Sequence, residues 1–229
     1  MIRKMIVLDW LGMKVYQKVS LFLLIHIPIM CFVFPHFIFF LAVLSIYLSI
    51  FPFGLEEKDD LSYLYLTLPI TRREVVTARY ALSGIMFICG ILIGSVCIPV
   101  IQPFSLMSNV FFIDGSLTIG FDKYFILLSI SYLIYAILNL AIFPFLFKLG
   151  YVKGKMWGTY LPLLVMMMLL TVIPIIVVVS ETVKDFLWKG VIFISENPIL
   201  IGIGMFILAT FILAISYLIS IKVYSKRNF

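Results

Sequence analysis

The chain has 229 residues, of which 64% are apolar and 12% charged, and its net charge is +6. A soluble domain is close to half apolar and a quarter charged, so this composition excludes a soluble fold, for too little polar surface would be left to face water. The positive balance would suit nucleic acid on a soluble protein. Here the basic residues sort by side of a membrane, so the expected partner is the lipid bilayer and no nucleic acid.

Residues 1–18 carry Arg3, Lys4, Asp9, Lys14 and Lys18, with no small-residue cleavage site after the first apolar run, so no secretory signal is expected. At about 100° per residue, Arg3, Lys4, Lys14 and Lys18 fall within an arc of about 100°. This predicts an amino-terminal interfacial helix over 1–18, lying along the inner surface with that arc toward anionic headgroups. The plainer alternative is a cytoplasmic extension of the first span.

An uncharged apolar run follows from Leu21 to Phe53. As one helix it would be about 50 Å long, whereas a bilayer core of about 30 Å needs only roughly 20 residues. Pro35 supplies a break, because proline removes a donor and disfavours helix in the residue before it. Two spans are expected, at 16–34 and 36–53. Four more are expected at 77–101, 124–147, 157–179 and 198–221.

Between the second and third spans lies the only sizeable polar stretch, a loop over 55–76. Asp59 or Asp60 can cap a short helix over 61–67 that carries Leu61, Leu64 and Tyr65 on one side and Tyr63 near the other; Pro69 ends it. Thr71-Arg72-Arg73-Glu74 has the form of a capping box before an apolar run, so a second helix is expected to start at Arg72 and continue into the third span. Arg72, Arg73 and Arg79 are then expected at headgroup level, snorkelling. The loop is longer than the connection needs. It also sets Glu56, Glu57, Asp59 and Asp60 beside tyrosines, which suits a partner surface. An ordinary polar turn with good caps is the alternative.

Two connections on the other side are unusual. Residues 102–123 include Phe104, Leu106, Phe111 and Phe112, which prefer an interface to water. Residues 180–197 mix charges with Phe186, Trp188 and Phe193 and return at Glu196-Asn197-Pro198. The second is either a re-entrant segment, whose irregular backbone must be covered by protein or line a cavity, or an interfacial helix anchored by Trp188.

Orientation follows from Lys and Arg in the short connections. With six spans, one side carries Arg3, Lys4, Lys14, Lys18, Lys58, Arg72, Arg73, Arg79, Lys148, Lys153, Lys155, Lys222, Lys226 and Arg227. The other carries Lys123, Lys184 and Lys189. Fourteen against three predicts both termini in the cytoplasm. A five- or seven-span count would scatter the positives.

Cys31, Cys89 and Cys97 lie in apolar runs and are expected to be buried thiols without disulfides or a metal. Gly90 and Gly94 form a GxxxG pattern that permits close helix packing. No charge lies centrally in a span, which disfavours an ion-coupled carrier. His26 and His36 lack partner carboxylates. Signatures of intramembrane enzymes are absent, and the fragment from Gly150 to Lys155 lacks the spacing of a phosphate-binding loop, so no catalytic residue and no nucleotide hydrolysis are expected in this chain.

The six-span pattern and the loop residues Phe53, Glu57-Lys58, Tyr63, Leu68-Pro69-Ile70-Thr71-Arg72, Val76 and Arg79-Tyr80 resemble the type-2 permeases of bacterial ABC transporters. The likeness is greatest to the small permeases of peptide export and peptide-antibiotic resistance, such as those of phenol-soluble-modulin exporters. The topology match covers the whole chain and the residue match about 53–80. The resemblance implies an all-α, multi-pass protein of the bacterial cell membrane. Two permease copies, identical or different, would pair with two separate ABC ATPase subunits that hold the ATP and magnesium. It implies that the amino-terminal surface helix and a coupling helix at 59–67 contact the ATPase, the loop through Glu56, Glu57, Lys58, Asp59, Asp60, Leu61, Tyr63, Leu64, Tyr65 and Arg72. It also implies an outer re-entrant segment over 181–197, with Trp188, Glu196, Asn197 and Pro198 as its site residues. An immunity or sensor protein that binds a peptide without transporting it is the alternative from another class, and an unassigned membrane enzyme a third.

Overall fold

A computed structural model describes residues 2–12, 45, 46, 48–54, 71–101, 121–160, 164, 193 and 196–226. Among these residues the regular structure is entirely helical. In a hydrocarbon solvent a helix satisfies its backbone donors and acceptors within itself, and these sequences are apolar enough to require that solution. The elements are α1 (Ile2–Gly12), α2 (Arg72–Ile101), α3 (Phe121–Lys155), a π-helical turn (Met156–Tyr160) and α4 (Pro198–Ser225); residues 48–54 are also helical. Three stretches, Arg72–Ile93, Tyr124–Gly154 and Pro198–Ser225, are long and apolar enough to cross a membrane. The first expected span, the first part of the second and most of the fifth lie outside the described residues.

The start of α2 follows its sequence. The Thr71 backbone N–H and hydroxyl donate to the Glu74 carboxylate at 2.9 and 3.0 Å, and the Glu74 N–H donates back to the Thr71 Oγ1 at 3.3 Å. This reciprocal capping box holds two of the orphan donors of a helix start. α4 likewise begins at Pro198, where a missing N–H costs nothing.

α3 is two arms. Gly150 has φ 78° and breaks the helix, a left-handed conformation that glycine adopts without a Cβ penalty. Beyond it the chain doubles back. A Cβ on Gly154 would stand 2.8 Å from the Leu146 Cα, and one on Gly158 would stand 3.1 Å from the Ile142 Cα. Each step of four along the returning arm matches a step of four back along α3, so the arms form an antiparallel hairpin with backbones in contact. Gly150, Gly154 and Gly158 thus make a small-residue seam of the kind that lets membrane helices pack closely. In sequence this stretch had only the look of a failed nucleotide loop, and the fifth span was expected to start at Trp157. The helical return begins at Tyr151, because Gly150 supplies the reversal.

α3 and α4 run side by side in the same direction. Gly202 meets Phe125 and Ser129 near their starts, Phe206 stacks on Tyr132 at 4.5 Å, and Tyr224 meets Phe147 at 5.2 Å near their ends. α2 runs against them. Its start lies beside the end of α4, and its later residue Ser95 is hydrogen-bonded to Tyr124 near the start of α3. One end of the bundle therefore gathers the start of α2, the Gly150 turn and the end of α4, with exposed Arg72, Arg73, Lys148, Lys153, Lys222 and Lys226. α1 packs there against α2. Among the described residues, these six basic side chains belong to the set that the sequence assigned to the cytoplasm.

The core between α2, α3 and residues 45–54 is aliphatic and aromatic, built from Ile46, Ile50, Phe53, Val76, Ile142, Phe143, Leu146 and Phe147. Hydroxyls bridge the helices. Thr77, Ser95 and Thr210 spend their own protons on carbonyls four residues back, at 2.8, 2.7 and 2.8 Å. Tyr217, Tyr124 and Tyr132 therefore donate to them across the helix interfaces.

Two expectations are corrected. Arg79 does not snorkel: it is 1% exposed, because its position on α2 turns it inward onto Asp9 and Phe53. Cys89 is exposed on the outer face of α2 and not buried, since Ile85, Ile88, Cys89 and Leu92 share the stripe that faces away from the bundle. Cys31 lies outside the described residues. The close approaches of backbone to backbone described are at Gly154 and Gly158, while Gly202 lies against the Phe125 and Ser129 side chains.

Candidate functional site

The expected contact residues Glu56, Glu57, Lys58, Asp59, Asp60, Leu61, Tyr63, Leu64 and Tyr65 lie outside the described residues. Both flanks of their loop are described, and each is fastened to the basic end.

The entry flank is residues 48–54. Phe53 is buried between the rings of Phe143 and Phe147, at 5.9 and 4.9 Å, and the Arg79 guanidinium lies 3.9 Å from its centroid. Gly54 lies under Tyr151, whose ring atoms would be 3.0 Å from any Cβ placed there. The last residues before the loop are thus pressed onto both arms of the α3 hairpin.

The exit flank is the first turns of α2. Arg72 Nη1 donates to the Ser225 carbonyl at 2.8 Å and to that of Tyr224 at 3.4 Å. These carbonyls end α4, where a cation is favoured by both the orphan acceptors and the helix dipole. Two turns further, Tyr80 sits between Ser216 and Ser220, its hydroxyl 2.6 and 2.9 Å from theirs. It also meets Phe143 edge-on at 4.7 Å. Arg79, its neighbour, points the other way. Its Nε is 4.0 Å from the Asp9 carboxylate, and both side chains are buried.

A guanidinium removed from water is costly unless paired. The carboxylate supplies the counter-charge and the Phe53 face a cation–π contact that strengthens when desolvated. One cation therefore joins three pieces of chain: α1 through Asp9, the loop's entry through Phe53, and the loop's exit through α2 itself.

Of the other expected positions, Arg3 is exposed on α1, and Lys4 lies on that helix. Lys14, Lys18 and Trp188 lie outside the described residues. Glu196 and Asn197 are exposed, and Pro198 opens α4. Among the described residues no group of His, Cys, Asp and Glu could hold a metal. Sequence reasoning passed over Asp9 and Arg79 as partners. The signal was present, since Asp9 is the single acidic residue before Glu56, and a lone carboxylate in apolar sequence calls for a counter-charge.

These helices define a membrane-embedded all-α protein whose basic end grips a charged loop by both flanks. The model of the ABC-2 family transporter proteins matches residues 4–225, and the chain belongs to that family. It is thus a membrane component of an ABC transporter, a class that works with an ABC ATPase. No curated protein and no solved structure matches it significantly.

Proposed function

We propose that the chain is the permease subunit of an ATP-driven exporter of hydrophobic or amphipathic peptides in a bacterial cell membrane. Its loop over 55–76 docks on a separate ATPase subunit, and a second permease copy completes the path. The observation that carries this reading is the fastening of both loop flanks. A loop that only joined two spans would need no such frame, whereas a loop that receives a push must not yield at its roots. Arg72 passes displacement to α4, and Phe53 passes it to the α3 hairpin.

ATP binding on the partner closes the two ATPases, and the bundles tilt. A peptide enters between the copies from the cytoplasm or the inner leaflet. The stripe of Ile85, Ile88 and Leu92 on α2 and the lack of central charge in the expected spans favour an apolar or amphipathic cargo over a polar solute.

The test is co-purification with the ATPase and measurement of its stimulated activity. Replacing Tyr63 and Leu64 together with Ala is expected to release or uncouple the ATPase while membrane insertion stays normal. Truncating a buried aromatic anchor costs on the order of 2 kcal/mol, which is more than a tenfold loss of affinity at about 1.4 kcal/mol per decade. Full partner binding and full export by that variant would reduce the loop to a turn. Six spans with cytoplasmic termini predict that cysteines at Lys58 and Lys153 are protected from an impermeant thiol reagent in intact cells, while one at Asp114 is labelled. Labelling at Lys153 would overturn that topology.

A further inference from the structure

α1 has two faces. Met5 and Asp9 are buried against the bundle, while Arg3, Val7, Trp10 and Leu11 are exposed. On a helical wheel the exposed four cluster within an arc of about 100°, opposite the buried pair. The buried face meets α2 at Arg79, about two turns beyond the loop's exit at Thr71. Phe53, next to the loop's entry, lies on the same guanidinium.

From this we infer that Asp9 and Arg79 are positioning residues of the transport cycle. The pair keeps α1 in register with the start of α2, so that displacement of the loop by the ATPase carries the amino-terminal helix with it. This rests on the reading of residues 55–76 as the ATPase contact.

The physical case is one of direction. A buried ion pair can often be replaced by apolar residues without loss of stability, so stability alone does not account for charge at this place; fixing a register is its best-attested use. Apolar contacts such as those of Met5 tolerate sliding, because dispersion and burial have no preferred direction. A buried guanidinium held between a carboxylate and a ring face does not, since a slide takes it away from its counter-charge and off the ring centre together. Of the contacts around α1, this is one that transmits a small axial or rotational shift of α2.

The experiment uses the permease co-purified with its ATPase, with Cys31, Cys89 and Cys97 replaced by Ser and an environment-sensitive fluorophore on Leu11→Cys. ATP with orthovanadate traps the closed ATPase and serves as the probe, so no peptide is needed. The parent complex is expected to shift the label's emission on trapping. Asp9→Leu with Arg79→Met, which replaces the pair by apolar bulk, is expected to lose most of the shift in complexes that still carry trapped ATPase. The swapped pair Asp9→Arg with Arg79→Asp, which restores the opposite charges but not the cation on the Phe53 ring, is expected to regain part of it, which a merely space-filling role would not produce. An apolar pair that shifts as the parent does overturns the inference, as does a parent label that stays unchanged while its partner is trapped. Should the apolar pair fail to accumulate in the membrane, the swapped pair decides, and its failure to shift counts against the inference. Absence of any ATPase on the parent chain would instead defeat the permease reading, and the inference with it.

Discussion

The two ends of the bundle are held together by different chemistry. At the basic end, charge and aromatic rings converge: Asp9, Arg79, Phe53, Phe143, Phe147, Tyr224 and the Arg72 cap on α4. Toward the opposite end, among the described residues, the ties are a glycine, single hydroxyls and the stack of Tyr132 on Phe206. Gly202 lies against Phe125, Tyr124 is bonded to Ser95, and Tyr132 reaches Thr210 at 3.4 Å. A buried charge pair resists separation, whereas an interface of glycine, stacked rings and lone hydroxyls can be re-formed after a small slide. Under the coupling proposed above, the basic end would be the driven and stiff one and the far end the one that repacks.

The contrast is broken most severely at Arg79. Arg79→Ala leaves the Asp9 carboxylate buried without its counter-charge and is expected to cost about 3–5 kcal/mol. Thermal unfolding of the detergent-solubilised protein would register this as a large fall in Tm. No equally costly single polar substitution is expected among the far-end hydroxyls.

Glycine substitutions sharpen the comparison. Gly154→Ala places a methyl group 2.8 Å from a backbone carbon, whereas in Gly202→Ala the nearest atoms belong to the Phe125 ring. Backbone cannot swing aside, so the first is expected to cost about 1–3 kcal/mol and the second less. Gly84 and Gly204 have nothing within 4 Å, and Ala at either is expected to be neutral or slightly stabilising, because glycine is the poorer helix former by about 1 kcal/mol. A stability series in which Gly204→Ala matched Gly154→Ala would undo the assignment of the hairpin seam.

Thr71→Ala removes one half of the capping box. It is expected to cost about 1 kcal/mol, read as faster hydrogen exchange in the first turn of α2 while the rest of the helix stays protected. Unchanged exchange there would mean that Arg72, and not the box, fixes the start of the helix.

The smallest effect is expected from Tyr80→Phe. It keeps the ring against Phe143 and deletes bonds to Ser216 and Ser220. Hydrogen bonds between membrane helices average about 0.6 kcal/mol, and the freed serines can turn to their own helix carbonyls. A loss above about 2 kcal/mol would show that this bridge, and not the charge cluster, is the main tie between α2 and α4.

Much of this arrangement was legible in the residues themselves. Composition required a membrane, Thr71 and Glu74 marked the start of α2, Pro198 marked that of α4, and the sorting of Lys and Arg matched the end at which the described helix termini gather. These are local or compositional properties: a cap needs four consecutive residues, and a span needs only length and apolarity. The pairing of Asp9 with Arg79, the seating of Phe53 on that cation, and the use of Gly154 and Gly158 as a contact seam belong to the tertiary structure alone. Each depends on which face of one helix meets which face of another. Nearly every face here is apolar, and in lipid no hydrophobic driving force singles out the buried side, so the helical period that reveals a buried stripe in a soluble protein says little. Arg79 therefore read as a headgroup anchor, and Cys89 as a core thiol, until packing assigned the first to the interior and the second to the surface.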